Sequence, residues 1–251
     1  MTPGERLKPF AAPVHLRIDA LGRCQLFSGL PVAALMELAP GSILYQVRRR
    51  QPIFQEGDET AVCWLLVSGL AKIAQSTDGG RMIIHRLVGP GELLGGLGTG
   101  PDSPTPSTSA HALDPSIVVA VEQPLLERTM QRHPGLARNA VRVLTERLRQ
   151  MEDDHVRLAT CKVEDRLAEL LVRLAERVGR ACSEGVQLGL TREDLAQMVG
   201  TNHFSVSRQL AQWEVEGFLL SRREVVIVRD GAGLLKATRA RLAVDVARRA
   251  S

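Results

Sequence analysis

Apolar and polar positions follow three different rhythms along this chain. The first runs from Ile43 to Val121 as short apolar runs: SILYQV, QPIF, AVCWLLVSG, LAKIAQST, RMIIHRLV and SIVVAVE. Turn residues separate them at Glu56-Gly57-Asp58, Ser68-Gly69, Asp78-Gly79-Gly80 and Gly89-Pro90-Gly91. Breaks roughly every ten residues predict an antiparallel barrel or jelly-roll sandwich. Asp78-Gly79 predicts a tight hairpin, because such turns need positive φ. The stretch GTGPDSPTPSTSAHALDPS is rich in Pro, Ser and Thr and has no apolar period, so it reads as a long surface loop. Ahead of the strands, residues 1–17 read as polar and loosely ordered. A helix follows in CQLFSGLPVAALMELAPGSI, starting at Ser28 or Gly29 with Pro31 in its first turn and Leu35, Leu38 and Ala39 on its apolar face.

The second rhythm is a heptad. After Gln123 the segment PLLERTMQRHP predicts a helix that ends before Pro134. Ala137, Val141, Leu144, Leu148, Met151, His155 and Leu158 then alternate in spacings of four and three. Such a seam over about three heptads predicts a coiled-coil dimer interface. Arg142, Glu146, Arg147, Arg149, Glu152, Asp153 and Asp154 keep the other faces wet. The bland alternative is a helix packed on its own domain. His155 on the seam can set register, sense protons or be a tolerated polar position near a splaying end.

The third rhythm is that of short amphipathic helices. In VEDRLAELLVRLAERVG, Leu167, Leu170, Leu171 and Leu174 form one stripe and Gly179 is the C-cap. ACSEGVQLGL reads as a loop and a short strand. Then comes TREDLAQMVGTNHFSVSRQLAQWEVEGF. Thr191 is a good N-cap, with Asp194 in a near-capping-box position. Leu195, Ala196 and Val199 face inward, and Gly200 lets the chain turn. Asn202 or Thr201 caps a second helix whose Val206, Leu210 and Trp213 share one apolar face. His203, Phe204, Ser205, Ser207, Arg208 and Gln212 fall elsewhere. That layout is a helix-turn-helix, whose second helix enters the DNA major groove.

The candidate chemistry follows from that helix. Arg208 can make a bidentate contact to guanine, and Phe204 can touch a thymine methyl. Ser205, Ser207 and Gln209 can bind phosphate or base edges. A solvated helix face is the plain alternative for each. Beyond Gly217, LLSRREVVIV predicts a β-hairpin with Arg222 and Arg223 at its tip, placed to contact phosphates. LLKATRARLAVDVARRA predicts one more, basic, helix.

Composition adds bounds. The length of 251 residues suits two domains, and at 3% aromatics the core must be built from Leu, Val, Ile and Ala. A net charge of +4 permits nucleic-acid binding without arguing for it. No run approaches a membrane span of about 18 apolar residues, and the N-terminus has no signal-peptide core, so a cytoplasmic location is expected with no membrane partner. Cys24, Cys63, Cys161 and Cys182 are far apart and make no C-x-x-C, which points to reduced thiols. The histidines His15, His85, His111, His133, His155 and His203 are isolated. A cupin-like metalloenzyme needs clustered ligands, so a non-enzymatic role is expected and that alternative is remote.

From LFSGLP to VVIVRD the chain resembles the Crp/Fnr superfamily of bacterial transcription regulators. FQEGDET, IAQSTDGGRMIIHRLVGPGELLGGLG and LTREDLAQMVGTNHFSVSRQL carry the resemblance. It implies an α+β fold: an N-terminal β-roll (double-stranded β-helix or jelly roll) sensor domain at 18–134, a dimerisation helix at 135–160, a winged helix-turn-helix at 161–233 and a basic tail at 234–251. It implies a homodimer on a two-fold symmetric operator of double-stranded DNA, in contact with RNA polymerase. Val141, Leu144, Leu148, Met151, His155 and Leu158 would form the dimer seam. Thr191, Asn202, His203, Phe204, Ser205, Ser207, Arg208, Gln209, Gln212, Arg222 and Arg223 would face DNA.

The departures bear on the signal. Cyclic-nucleotide-binding members hold the ligand with a Gly-Glu and then an Arg-Ser. Here the matching Glu position is Gly96 and the Arg position is Pro106, with Ser107 remaining. Without an Arg there is no bidentate phosphate clamp. The polar pair that meets adenine from the long helix is Met151 and Glu152. These changes argue against cyclic AMP. Cys24 alone cannot supply the cysteine cluster of iron–sulfur members. Haem remains open, with His85 the candidate axial ligand and Cys63 a second. The resemblance places an effector pocket around Ile84, His85, Leu93, Leu94, Gly96, Ser107 and Met151. On the recognition helix, His203 and Phe204 replace the family's Arg and Glu. The acidic readout of cytosine is therefore lost, and a different operator is expected.

Overall fold

The computed structural model describes residues 7–58, 62–97 and 106–238. The chain forms two compact units, Met1–Gln150 and Met151–Ser251.

The first unit contains nine strands among its described residues. They are β1 (Lys8–Phe10), β2 (Ser42–Val47), β3 (Pro52–Phe54), β4 (Val62–Ser68), β5 (Ala71–Ser76), β6 (Met82–Val88), β7 (Leu93–Gly95), β8 (Ser109–Ala112) and β9 (Ser116–Glu122). Two antiparallel sheets result, in the orders β1-β2-β9-β4-β7 and β3-β8-β5-β6. Between them lies a core that includes Tyr45, Phe54, Trp64, Leu66, Ile73, Leu94, Val118 and Ala120. The other face of the five-stranded sheet is also covered. Leu44, Cys63, Leu65, Leu93, Val119 and Val121 pack there with Leu21, Phe27, Leu38, Leu126, Leu136 and Val143. Burial on both faces explains why VCWLLV and SIVVAV are continuous apolar runs rather than alternating ones.

The covering helices are α1 (Val14–Gly22), α2 (Val32–Leu38), α3 (Gln123–Arg132) and the start of α4 (Pro134–Thr160). Four sequence expectations need correction here. Residues within 1–17 are not uniformly irregular: β1 extends the sheet edge by pairing Lys8 with Gln46 and Phe10 with Leu44, and α1 begins at Val14. The Pro/Ser/Thr-rich stretch is not all loop. Its SAHA segment is β8, with Ala110 and Ala112 buried and paired to Ile73 and Ala71 of β5. Small side chains hid a period-two pattern there. At the β5–β6 turn, the positive φ of 73° falls on Gly80, one residue beyond the expected Asp78-Gly79 pair. In α2, Pro31 is the N-cap and Val32 the first helical residue.

Helix α4 carries two apolar stripes. Leu136, Ala140 and Val143 are buried in the roll's helical layer. Asn139 Nδ2 fixes the approach by donating to the carbonyls of Leu26 at 3.1 Å and Ser28 at 2.8 Å. The heptad seam is the other stripe: Val141, Leu144, Leu148, Met151 and Leu158 are exposed in the single chain.

The second unit contains α5 (Val163–Val178), β10 (Arg180–Cys182), β11 (Gly185–Leu188), α6 (Arg192–Val199), α7 (His203–Val215), β12 (Leu219–Arg222) and β13 (Val225–Val228). The sheet order is β10-β11-β13-β12. ACSEGVQL is therefore a hairpin rather than a loop and one strand. Leu167, Leu171, Leu188, Leu195, Val206, Leu210, Trp213 and Leu219 are buried. Gly179 is the C-cap of α5 but has an extended backbone, with φ −67° and ψ 153°. Close approach requires the glycine, since a Cβ would lie 2.3 Å from Val186 Cγ1. Residues 231–238 are helical, and the rest of the basic tail lies outside the described residues.

Candidate nucleic-acid interface

Local hydrogen bonds build the turn between α6 and α7. The Thr191 hydroxyl accepts from the Asp194 backbone N–H at 3.0 Å, and the Asp194 carboxylate accepts from the Thr191 N–H at 3.1 Å. This capping box satisfies two N–H groups that helix starts leave orphaned. It also commits the Thr191 side chain, which donates to Asp194 Oδ2 at 2.7 Å. Gly200 closes α6 in the left-handed region at φ 69° and ψ 45°. Asn202, not Thr201, caps α7, its Oδ1 accepting from Ser205 N–H at 2.9 Å. Val206, Leu210 and Trp213 are 0% exposed and anchor the helix from beneath.

Opposite that anchor lies the outer face of α7. Phe204, Arg208, Ala211 and Val215 follow at helical spacing, and all four are exposed. Phe204 is 73% exposed, unusual for a phenylalanine with no core role. Among the described residues no hydrogen bond or ion pair engages the Arg208 guanidinium. Ser205, Ser207 and Gln209 flank the face and are half-buried, while Gln212 is exposed and donates to Glu216 Oε1 at 3.2 Å. His203 stacks on Phe204 with ring centroids 3.9 Å apart, and its Nδ1 lies 3.7 Å from Glu193 Oε2.

The β12–β13 hairpin presents Arg222 and Arg223, both exposed. Arg222 is already held by Glu184 at 3.0 Å, as is Arg229 at 3.5 Å. Sequence reasoning placed the two tip arginines on one footing and missed this carboxylate, since Glu184 lies in a different hairpin.

The expected effector residues differ in their surroundings. Ile84, Leu93 and Leu94 are buried, but Leu93 belongs to the helix-covered layer and Leu94 to the inter-sheet core. His85 alternates outward from Ile84. It is exposed, with its Nε2 3.2 Å from Gln75 Oε1, so it does not point into the roll as an axial ligand would. Ser107 is exposed, and Met151 belongs to the second unit. Gly96 has φ +84°, and a Cβ there would lie 2.2 Å from the Val62 carbonyl oxygen. Its own carbonyl accepts from Gln123 Nε2 at 3.3 Å. The Gly57 N–H donates to the Pro106 carbonyl at 2.9 Å, and the Glu56 N–H to Ser109 Oγ at 3.0 Å.

Two guanidinium groups converge nearby, that of Arg86 and that of Arg147, which is half-buried rather than on a wet helix face as its sequence position suggested. Arg86 Nη2 donates to the Leu93 carbonyl at 2.7 Å, and Arg147 of α4 donates to the same oxygen. Burial lowers the Arg147 pKa, offset in part by Cys63 and the Glu92 carboxylate. Burial also raises the Cys24 and Cys63 thiols to about 12. Among the described residues no group of three or more His, Cys, Asp or Glu is placed to hold a metal ion, and no helix is long and apolar enough to cross a membrane.

The described residues thus comprise a double-sheet β-roll, a long helix and a winged helix-turn-helix. Residues 44–133 match the cyclic nucleotide-binding domain family, and residues 165–237 match the Crp-like helix-turn-helix domain family. The chain belongs to the Crp/Fnr superfamily of transcription regulators. It is 26% identical over 223 residues to a CRP-like cAMP-activated global transcriptional regulator of Mycobacterium tuberculosis, covering 88% of this chain and 99% of that one. The structure of a CRP-family transcriptional regulator from Thermus thermophilus is similar with a TM-score of 0.66 at 26% identity, over 76% of this chain and 94% of that one. The c-di-GMP responsive global regulator of Xanthomonas campestris shares the fold, with a TM-score of 0.68 at 22% identity over 79% and 99% of the two chains.

Proposed function

We propose that this regulator is a homodimer that reads a two-fold symmetric operator with α7 and recruits or blocks RNA polymerase in the cytoplasm. The observation that carries the reading is the outer face of α7, where Arg208 stands exposed with its guanidinium unengaged. Such an arginine in a major groove makes the bidentate contact to guanine O6 and N7. Arg223 at the wing tip adds a phosphate contact. The seam Val141, Leu144, Leu148, Met151, His155 and Leu158 supplies the dimer contact. Its exposed apolar residues would gain burial from a partner helix. The proposed domain limits are 18–134, 135–160, 161–233 and 234–251, with β1 and the start of α1 added ahead of position 18.

The roll is proposed to work without cyclic AMP, although the mycobacterial relative is named as cAMP-activated. Pro106 stands where a phosphate clamp needs an arginine, and Gly96 has no room for a side chain. The regulator is then constitutively competent or answers a different signal.

Duplexes selected from a random pool test the first reading. The wild-type chain should recover a two-fold symmetric site, and Arg208→Ala should lose about 1–3 kcal/mol on that site per half-site while keeping its affinity for random DNA. Equal affinity and salt slope for wild type and variant on both DNAs would remove Arg208 from base readout. For the dimer, Leu148→Glu should give a monomer by sedimentation.

A further inference from the structure

The reader's outer face carries more information than a guanine contact. We propose that Phe204 selects the 5-methyl group of a thymine lying within about two base pairs of the guanine read by Arg208. The inference rests on the reading of α7 as a duplex-binding helix and names the base chemistry that helix accepts.

The Phe204 ring stands directly opposite Val206, Leu210 and Trp213, each 0% exposed, so it contributes nothing to the domain core. It is 73% exposed at the leading turn of the helix, where groove-entering helices make their base contacts.

The ring is also backed on one face. His203 packs on it at a centroid distance of 3.9 Å and an interplanar angle of 35°. His203 Nδ1 in turn lies 3.7 Å from Glu193 Oε2 on α6. The other oxygen of Glu193 accepts from Gln197 Nε2 at 3.1 Å. The first helix of the motif thus braces His203, and His203 backs one face of Phe204. The opposite face and the edge remain free. An apolar surface fixed before binding loses little rotamer freedom when a partner arrives.

Among base edges in the major groove, thymine presents the one apolar group, its 5-methyl. A phenyl ring offers neither donor nor acceptor, so it cannot satisfy cytosine N4 or adenine N6. The Glu193 carboxylate on α6 accepts from Gln197 and lies 3.7 Å from His203 Nδ1. Spacing sets the distance to the guanine. Phe204 and Arg208 are four residues apart on one face, a rise of about 6 Å, which spans roughly two base-pair steps of about 3.4 Å.

Uracil differs from thymine only by that methyl, which makes a clean probe. The operator selected by the wild-type chain is resynthesised with deoxyuridine replacing each thymine in turn, symmetrically in both half-sites. Affinities are measured for wild type, Phe204→Ala and Phe204→Leu at one salt concentration. Phe204 is on the surface, so the variants should fold, and thermal unfolding by circular dichroism checks this. One thymine per half-site should matter. Replacing it should weaken wild type about three- to fivefold per half-site, the effect of burying one methyl group. Phe204→Ala should not respond to that replacement, and Phe204→Leu should keep part of the response. Wild type that tolerates uracil everywhere, or Phe204→Ala that responds as fully as wild type, overturns the proposal while leaving DNA binding intact. Failure of the wild-type chain to bind any duplex overturns both this proposal and the reading beneath it.

Discussion

Arg166 of α5 donates to the carbonyl of Val199, the last residue of α6, from both Nη2 at 2.8 Å and Nε at 3.3 Å. Its third nitrogen, Nη1, donates to the Cys161 carbonyl at 2.7 Å. Helix C-termini leave carbonyls without intrahelical partners, and a guanidinium is well suited to several at once. One side chain therefore secures the end of the first reader helix and the residue that follows α4. Arg166→Ala should cost about 1.5–3 kcal/mol, the worth of hydrogen bonds to a charged group. Urea unfolding followed by tryptophan fluorescence would measure this, since Trp213 is buried in the same unit. Arg166→Lys, with one compact ammonium, should recover only part of the loss. An unchanged midpoint in the alanine variant would show that the three contacts are not formed in solution.

Gly96 is expected to resist conversion into a nucleotide-binding position. A Cβ would meet the Val62 carbonyl oxygen at 2.2 Å and Cys63 Cα at 3.0 Å, at a φ of +84° that side chains rarely adopt. Gly96→Glu should therefore lower stability by about 1–3 kcal/mol or more through overpacking and backbone strain. It should show no heat of cyclic AMP binding by calorimetry. A variant with unchanged melting temperature that is further stabilised by cyclic AMP would contradict the steric argument.

The four thiols should divide sharply. Cys24 and Cys63 are buried with pKa values pushed up to about 12, whereas Cys182 is exposed and Cys161 is half-buried. Thiolate is the reactive form, so a maleimide at neutral pH should label the native chain at Cys182, more slowly at Cys161, and at Cys24 and Cys63 only in denaturant. Mass spectrometry of peptides would locate the label. Rapid native labelling of Cys63 would mean that the helical layer over the five-stranded sheet opens readily.

His111 introduces an acid sensitivity into the roll. Burial, and then the neighbouring charge of Lys72, hold its folded pKa below the ordinary 6.5. As pH falls through that value the unfolded chain takes up the proton before the folded chain does. Unfolding is therefore favoured, and stability present above about pH 6.5 is progressively lost below it. The melting temperature should drop between pH 7 and 5.5, and His111→Gln should reduce that drop. An identical pH profile in the variant would assign the acid sensitivity elsewhere.

Much of the reader is legible in the sequence. Thr191, Asp194, Gly200 and Asn202 act through neighbours within a few residues, so their roles follow from local spacing, as does the inward set Val206, Leu210 and Trp213. The heptad of α4 was legible for the same reason. What escaped were partners distant in the chain. Glu184 captures Arg222 across 38 residues, Arg147 reaches Leu93 across 54, and Arg166 reaches Val199 across 33. No periodicity encodes such pairs. Strand β8 was hidden for another reason: alanine carries too little hydrophobic contrast to announce SAHA as a strand, and its place is set by pairing with β3 and β5.

By itself the sequence determined the longer strands of the roll, the heptad stripe of α4 and the residues offered by the outer face of α7, because these depend on the 3.6- and two-residue periods of the backbone. Tertiary structure decided which side chains were left available. It closed the space at Gly96 against Val62, occupied Arg222 with Glu184, and brought Arg166 to the Val199 carbonyl. Those outcomes depend on close packing and on hydrogen bonds between segments far apart in the chain, and only folding brings such segments within a few ångströms.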